Sequence, residues 1–176
     1  MKNIEPILRK LIRDVTNFPK EGILFRDITP VLGDAKAFQS VIDAFAKLEE
    51  VSSANVIAAF DARGFLFGAP LALQTRKRLA LIRKKGKLPF RTIHQAYGLE
   101  YGNGVLEMHT DSIYIGDEVF IIDDLLATGG TALAGCQLVE RLGGIVTGLG
   151  FVIELENLNG RSLIADYPVT SLVQYS

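Results

Sequence analysis

Two adjacent carboxylates followed by a loop of small residues are the part of this 176-residue sequence best suited to chemistry. Asp123 and Asp124 come directly after the apolar run VFII, and the loop ATGGT occupies residues 127–131. Charge is costly in an apolar environment, so carboxylates at the end of a buried strand point to a ligand. A helix that begins at the loop would offer its free N–H groups and the positive end of its dipole. The combination suits a sugar phosphate, with the phosphate on the loop and the hydroxyls on the carboxylates.

Four of the five residues of the loop have a property that favours phosphate binding. Gly129 and Gly130 let the backbone approach a phosphate closely, and Thr128 and Thr131 add hydroxyl donors after Ala127. An ordinary strand-turn-helix whose aspartates cap the helix is the alternative, but the paired carboxylates favour a ligand site. The loop is not a Walker loop, because no Lys-Ser or Lys-Thr follows the glycines, and it lacks the Gly-x-Gly-x-x-Gly spacing.

The elements that must position these residues alternate between apolar runs and helical patterns. They predict an α/β fold with a mainly parallel central sheet flanked by helices, whose ligands bind at the carboxyl ends of the strands. A helical pattern runs from Ile4 to Val15. Residues 84–110, rich in Lys, Gly and Tyr, lack a core periodicity and predict either two exposed strands or a long mobile loop. The predicted strands are GILFRDI, NVIAAFD, LALIRK, VFIIDD, TGLGFVIELE and PVTSLVQY.

The composition is that of one globular domain over residues 1–176, with 48% hydrophobic and 22% charged residues. The net charge of −1 gives no overall attraction to nucleic acid or to anionic membranes. The single cysteine, Cys136, excludes an internal disulfide and suits a reducing compartment. The N-terminal residues mix charged with apolar side chains, unlike a signal peptide, and no apolar run reaches the ~20 residues that span a bilayer. We expect a cytoplasmic protein with no nucleic-acid or membrane partner.

The apolar strand, the Asp-Asp pair and the ATGGT loop together resemble the phosphoribosyl-pyrophosphate signature of the type I phosphoribosyltransferases. Further stretches resemble the adenine branch of that family, and the resemblance covers nearly the whole chain. It departs at Phe90, which follows KLP where that family usually has glycine. It implies the type I fold, with a mobile two-stranded loop and a small base-binding hood at about residues 1–33. The matching stretches are FPKEGILFRDITPVL (18–32), DARGFLFG (61–68), RKKGKLP (83–89), LEYG (99–102) and FVIELENLNGRSLI (151–164).

The activity implied by the resemblance is Mg²⁺-dependent transfer of phosphoribose from phosphoribosyl pyrophosphate to adenine, giving AMP and pyrophosphate, in a homodimer. Positive charge develops on the ribose as pyrophosphate leaves, and Asp123 and Asp124 would hold the ribose hydroxyls and stabilise that charge. Arg63, at the start of a predicted helix, would bind the pyrophosphate, with a surface ion pair to Asp61 as the alternative. Mg²⁺ would be held mainly by substrate oxygens and water.

Three further roles depend on the resemblance. A charge run such as KKGK is by itself typical of a solvated surface, and only the resemblance assigns Lys87, with Lys84 nearby, to the pyrophosphate. It also assigns an acid/base role at the base to Glu100, for which an exposed strand glutamate is the alternative. Tyr101, next to it, is assigned to the phosphoribosyl pyrophosphate site.

The segment LFRDI predicts how the base is recognised. Phe25 would stack on adenine, and the backbone of Leu24 and Arg26 would bind its Watson–Crick edge, although Phe25 could equally be a core residue. An oxo-purine has the reverse donor pattern and would leave these groups unpaired. The resemblance adds Leu125 to the base site.

Two other functions stay open. The first is transfer to hypoxanthine, guanine or orotate, which LFRDI disfavours. The second is a regulatory module that senses phosphoribosyl pyrophosphate and docks on nucleic acid. That module should carry a basic face or a DNA-binding domain, and the sequence has neither signal.

Overall fold

The computed structural model describes residues 4–99 and 102–176 of the chain. The chain divides into two compact units, Met1–Ala44 and Phe45–Ser176. Glu100 and Tyr101, two of the predicted site residues, lie outside the described residues. The single domain over residues 1–176, with a hood at about residues 1–33, stays a prediction.

The first unit contains a small antiparallel hairpin in which Val15 lies opposite Phe25. The sequence predicted one helix through Val15, which is wrong, because the helix ends at Leu11 and a strand follows. A β-branched residue such as Val15 favours a strand once a cross-strand neighbour is present, and its helical spacing could not reveal that neighbour. The elements are α1 (Glu5–Leu11), β1 (Arg13–Thr16), β2 (Leu24–Asp27), α2 (Thr29–Gly33) and α3 (Ala35–Ala46), which continues into the second unit.

The second unit is built on a seven-stranded sheet. Its elements are α4 (Glu49–Ser53), β3 (Val56–Phe60), α5 (Gly64–Thr75), β4 (Arg78–Lys84), β5 (Thr92–Leu99), β6 (Gly102–His109), β7 (Glu118–Leu126), α6 (Gly130–Arg141), β8 (Ile145–Leu155), a 3₁₀ turn (Glu156–Leu158), α7 (Gly160–Leu163) and β9 (Val169–Tyr175). The strand order is β5-β6-β4-β3-β7-β8-β9. The neighbouring strands β4, β3, β7, β8 and β9 are parallel to one another. Strand β6 is antiparallel to both of its neighbours, β4 and β5. The predicted α/β fold with a mainly parallel sheet is confirmed.

Helices cover both faces of this sheet, and small residues bring them close to it. Gly68 of α5 lies against Ala59 of β3, while Gly135 of α6 lies against Phe60 on the opposite face. All five residues of β3 are buried, as expected for a central strand covered on both sides. None of the described helices is both long and apolar enough to span a bilayer.

The segment at residues 84–110 forms two strands, one of the two predicted alternatives. β6 pairs with β5 along its length and also with the end of β4, where Leu106 lies opposite Lys84. Leu106 and Met108 are 4% and 0% exposed and belong to the hydrophobic core. The expectation that this segment lacks core positions is therefore wrong for β6, because β6 joins the main sheet through β4 and the face that carries Leu106 and Met108 packs into the core. The predicted mobility of the segment stays a prediction.

Candidate active site

The carboxyl end of β7 carries two carboxylates into a pocket. The strand continues through Leu126, so Asp123 and Asp124 lie inside its last residues and not beyond its end. Asp123 Oδ1 accepts a hydrogen bond of 2.8 Å from the backbone N–H of Asp124. Asp124 is 4% exposed, and its Oδ2 lies 2.9 Å from Arg63 Nε. The structure therefore brings together three of the residues predicted from the sequence.

The two carboxyl groups titrate abnormally. Burial raises the pKa of Asp123 well above its ordinary value, and the negative charge of Asp124 raises it further. Burial also raises the pKa of Asp124, although Arg63 opposes this effect. The pair resists carrying two full negative charges, so it favours a ligand that donates hydrogen bonds or brings positive charge.

The loop at residues 127–131 leads from β7 into α6. Gly129 has φ = 84°, a left-handed conformation that side chains other than glycine rarely adopt, and the helix begins at Gly130. Leu133 N–H donates to Gly129 O at 2.9 Å and closes the first turn of the helix. The first four N–H groups of a helix have no partner within it, and the helix dipole is positive at this end. The strand-loop-helix arrangement predicted from the sequence is thus formed.

Gly160, a residue that the sequence analysis missed, supports this loop from behind. A Cβ on Gly129 would collide with the carbonyl group of Gly160. In turn, a Cβ on Gly160 would lie 2.8 Å from Gly129 N and 2.9 Å from the carbonyl carbon of Ala127. The two backbones are therefore in direct contact, and glycine is needed on both sides. The only signal in the sequence was the stretch LNGR, about thirty residues beyond the loop.

Beside Gly160, an ion pair between the half-exposed Arg161 and the buried Glu154 fixes the chain. Arg161 donates to Glu154 through Nε at 2.9 Å and through Nη2 at 2.5 Å, and its Nη1 donates to the carbonyl of Val169 at 2.8 Å. Burial raises the pKa of Glu154, but hydrogen bonds from Arg161 and from two further side chains outweigh it and hold the pKa at about 2. Glu154 thus stays ionised and holds the segment that supports the loop.

Two adjoining cavities connect the loop and the carboxylates. The first has a volume of about 210 Å³ and the second about 270 Å³. They share Phe60, Arg63, Asp123, Asp124 and Thr131. The first is completed by Leu125, Leu126, Ala127, Thr128, Gly129, Ala132 and Phe151. The second is completed by Asp61, Ala62, Lys84, Tyr97 and Leu106.

The cationic residues divide between the pocket and its surroundings. Lys84 lines the second cavity, whereas Lys87 is exposed and lies in the turn that follows β4. Asp61 binds Arg83 at 2.9 Å, while Arg63 binds Asp124. The ion pair between Arg63 and Asp61, weighed as the alternative for Arg63, is replaced by these two contacts.

The strand β5 also reaches the pocket, through a residue that the sequence analysis did not select. Tyr97 lines the second cavity, and the carbonyl oxygen of the adjacent Gly98 would lie 3.1 Å from a Cβ on Gly130. Gly130 itself, with Thr128, borders a neighbouring cavity between β5 and α6. Strand β5 thus borders the loop at residues 127–131.

The residues predicted to bind the base lie in different units. Leu125 lines the first cavity of the second unit. Phe25 lies in β2 of the first unit, where its ring meets that of Phe18 edge-on, with 5.1 Å between ring centroids. Leu24 is 44% exposed. Leu24 and Arg26 are two residues apart on a strand, so their backbone groups point to the same edge.

Comparison with known proteins defines the class. The family model described as "Phosphoribosyl transferase domain" matches residues 32–171. The chain therefore belongs to the phosphoribosyltransferase family, and the resemblance drawn from its motifs is confirmed.

Its relatives within this family are named adenine phosphoribosyltransferase. The protein of that name from Caldicellulosiruptor saccharolyticus is 51% identical over 168 residues, which cover 96% of each chain. The crystal structure of the protein from Thermoanaerobacter pseudethanolicus is similar with a TM-score of 0.93 and 49% identity, covering 97% of this chain and 99% of that one. The Saccharomyces cerevisiae structure, solved in complex with an imino-altritol bisphosphate and adenine, has a TM-score of 0.89 and 36% identity over 98% of this chain and 99% of that one.

Proposed function

We propose that this chain is an adenine phosphoribosyltransferase, which converts adenine and phosphoribosyl pyrophosphate to AMP and pyrophosphate in purine salvage. The observation that carries the proposal is that Asp123 and Asp124 line the same cavity as the loop at residues 127–131. The names of the relatives at about 50% identity over nearly the whole chain agree with it.

The pocket supplies a separate group for each part of the sugar phosphate. The 5-phosphate binds at the start of α6, where N–H groups and the hydroxyl of Thr131 can donate to it. The ribose hydroxyls donate to the carboxylates of Asp123 and Asp124. The pyrophosphate lies in the second cavity, between Arg63 and Lys84, with Lys87 at its rim. The three binding positions thus follow the order of the groups in the substrate, from the 5-phosphate through the ribose to the pyrophosphate.

The reaction breaks the bond between the anomeric carbon of the ribose and the pyrophosphate oxygen, and forms a bond from that carbon to an imidazole nitrogen of adenine. Asp123 and Asp124 stabilise the positive charge that develops on the ribose, because a nearby carboxylate attracts such a charge strongly where water is excluded. Arg63 and Lys84 stabilise the negative charge that remains on the pyrophosphate. The proton that adenine loses is assigned to Glu100, with Tyr101 beside it.

Mg²⁺ is the proposed cofactor, and the donor groups of the pocket fit it. Burial raises the pKa of both Asp123 and Asp124, and a cation bound nearby would offset the cost of their negative charges. Mg²⁺ keeps several waters and binds substrate phosphates readily, so most of its ligands would be oxygens of the pyrophosphate and water. When bound, Mg²⁺ neutralises charge on the leaving group.

Adenine is recognised through Phe25 and the backbone of Leu24 and Arg26, and Leu125 is the fourth residue assigned to the base. The test is a turnover assay with phosphoribosyl pyrophosphate, Mg²⁺ and one base at a time. Adenine should yield AMP, whereas hypoxanthine, guanine and orotate should yield no nucleotide above background. Preference for one of the other bases would overturn the assignment to adenine while leaving the sugar-phosphate site intact.

A homodimer in the cytoplasm completes the proposal. Leu73 and Leu66 of α5 are 82% and 43% exposed, and burial of such apolar residues against a second copy would favour association. Cys136 is a free thiol, which suits a reducing compartment. Sedimentation should give the mass of a dimer at micromolar concentration, and a monomer there would refute the dimer.

A further inference from the structure

Glu107 is a buried carboxylate outside the pocket, and it holds the turn that follows β4. Its side chain is 3% exposed. Its Oε1 accepts hydrogen bonds from the backbone N–H groups of Lys87 at 2.7 Å and Leu88 at 2.8 Å. Its Oε2 lies 3.3 Å from Thr92 Oγ1 and 3.4 Å from His94 Nε2. Both oxygens thus have the polar partners that a charge at this depth requires.

The position of Glu107 is fixed because β6 has a paired strand on each side. Glu107 lies opposite Arg83 of β4 and opposite His94 of β5. Burial raises the pKa of Glu107, but the N–H groups of residues 86–88 and the hydroxyl of Thr92 outweigh this and hold the pKa below its ordinary value. Glu107 is therefore ionised at neutral pH and binds the turn as a carboxylate.

Arg83 connects the same turn to the loop that carries Arg63. Arg83 Nη1 donates to the carbonyl oxygen of Lys87 at 2.9 Å, and its Nε donates to Asp61 Oδ2 at 2.9 Å. Asp61 lines the cavity into which Arg63 and Lys84 also project. Glu107 thus holds the turn through its N–H groups, and Arg83 holds it through a carbonyl group. Arg83 also binds Asp61, which lines the cavity.

We infer that Glu107 is a positioning residue for the pyrophosphate end of phosphoribosyl pyrophosphate, an inference that rests on the proposed function. With Arg83, it fixes the turn at residues 85–88 against the loop at residues 61–63. The cations of the two segments then meet the same leaving group. Cations fixed in advance stabilise a developing anion without reorganisation, whereas a loose turn would lose conformational freedom on binding. Glu107 itself does not contact the ligand.

The experiment compares two ligands that differ only in the pyrophosphate. Phosphoribosyl pyrophosphate with Mg²⁺ and ribose 5-phosphate are each titrated by calorimetry into the full chain and into its variants. Glu107→Leu removes both acceptor oxygens and should weaken binding of phosphoribosyl pyrophosphate about tenfold, while ribose 5-phosphate binds as before. Glu107→Gln keeps an acceptor oxygen for the two N–H groups and should restore most of the affinity. Arg83→Met removes the hydrogen bond to the carbonyl oxygen of Lys87 and should weaken binding of phosphoribosyl pyrophosphate to a similar extent. This variant replaces Glu107→Leu in the test if Glu107→Leu does not fold.

Asp117→Leu is the matched control. Asp117 is also buried and also accepts a backbone N–H bond across a turn, from Tyr114 at 2.6 Å, but it precedes β7, at the end of the strand away from the pocket. This variant should lower thermal stability and leave the ratio of the two affinities unchanged. Equal losses for the two ligands in Glu107→Leu, no loss at all, or the same selective loss in Asp117→Leu would each overturn the inference. Failure of the unaltered chain to bind phosphoribosyl pyrophosphate would instead overturn the proposed function.

Discussion

Replacing Gly160 with alanine should disturb the phosphate loop without touching the ligand. The added Cβ would lie 2.8 Å from Gly129 N and 2.9 Å from the carbonyl carbon of Ala127, and closer still to the carbonyl oxygen of Ala127. Ordinary contacts of a methyl group with backbone atoms are about 3.5–4 Å, so the two backbone segments have to move apart by at least about 1 Å. The ion pair of the adjacent Arg161 with Glu154 holds the segment that carries Gly160. We therefore expect part of the movement to occur in the loop at residues 127–131.

The magnitude follows from the size of this displacement. Insertion of one methyl group into a close-packed contact costs about 1–3 kcal/mol of unfolding free energy. For a chain of this length, a loss of that size lowers Tm by about 2–10 °C. A misplacement of about 1 Å in a binding group can cost about a hundredfold in rate, so kcat/KM for phosphoribosyl pyrophosphate should fall about 10- to 100-fold. KM for adenine should stay close to that of the unaltered enzyme, since the base site does not use this loop.

The assay is steady-state AMP formation with each substrate varied in turn, together with thermal unfolding. Gly33→Ala is the matched control, because a Cβ at Gly33 meets no atom within 4 Å. The control should change neither constant. An unaltered KM for phosphoribosyl pyrophosphate in a folded Gly160→Ala enzyme would refute the role of Gly160 in holding the loop.

Four further substitutions test other parts of the account. Asp123→Asn should abolish most of the turnover yet raise the unfolding free energy at pH 7 by about 1–3 kcal/mol. The reason is that a carboxyl whose pKa is raised by folding destabilises the folded state once the pH exceeds its pKa in the unfolded chain. The gain in unfolding free energy should vanish below about pH 4, and urea unfolding at several pH values measures it. In the unaltered protein, the ion pair of Glu154 with Arg161 stabilises the fold above pH 4.5, and this stabilisation is lost as the pH falls toward about 2. The loss is about 2 kcal/mol after allowance for solvent screening. Glu154→Gln should remove this part of the decrease in unfolding free energy on acidification. Phe90→Gly should raise the unfolding free energy by about 0.5–1 kcal/mol, and with it Tm, because Phe90 is 75% exposed and has φ = 78°, a conformation that glycine adopts without strain. Arg63→Ala should weaken phosphoribosyl pyrophosphate far more than adenine in equilibrium titrations, and equal losses for both ligands would contradict its assignment to the pyrophosphate.

The parts of the fold that could be predicted from the sequence are those in which local pattern and burial agree. The continuous apolar run before Asp123 predicted a buried strand, and the structure has β7 there. The double glycine predicted a loop into a helix, and Gly129 has the left-handed conformation that explains its presence. The glycine usual in the family at position 90 has the same explanation, since Phe90 has a positive φ in this chain.

Features that depend on distant partners could not be predicted in this way. Val15 joins a strand because Phe25 lies opposite it. Leu106 is a core residue because β6 pairs with β4. Glu107 and Gly160 support the site through residues 19 to 33 positions away, and neither carries a motif of its own. The spacing of residues along the chain predicts which residues share a face of one helix or strand. It does not predict which strands or loops pack against each other.

The most direct test of the account is a crystal structure of the chain with AMP bound. If this pocket binds the phosphoribosyl group, the phosphate oxygens should lie about 2.7–3.2 Å from backbone nitrogens of residues 128–131, and the ribose hydroxyls should lie at similar distances from the carboxylates of Asp123 and Asp124. The adenine ring should lie against Phe25. A phosphate bound away from residues 127–131, or a ribose without contact to either carboxylate, would contradict the assignment of this pocket to phosphoribosyl transfer.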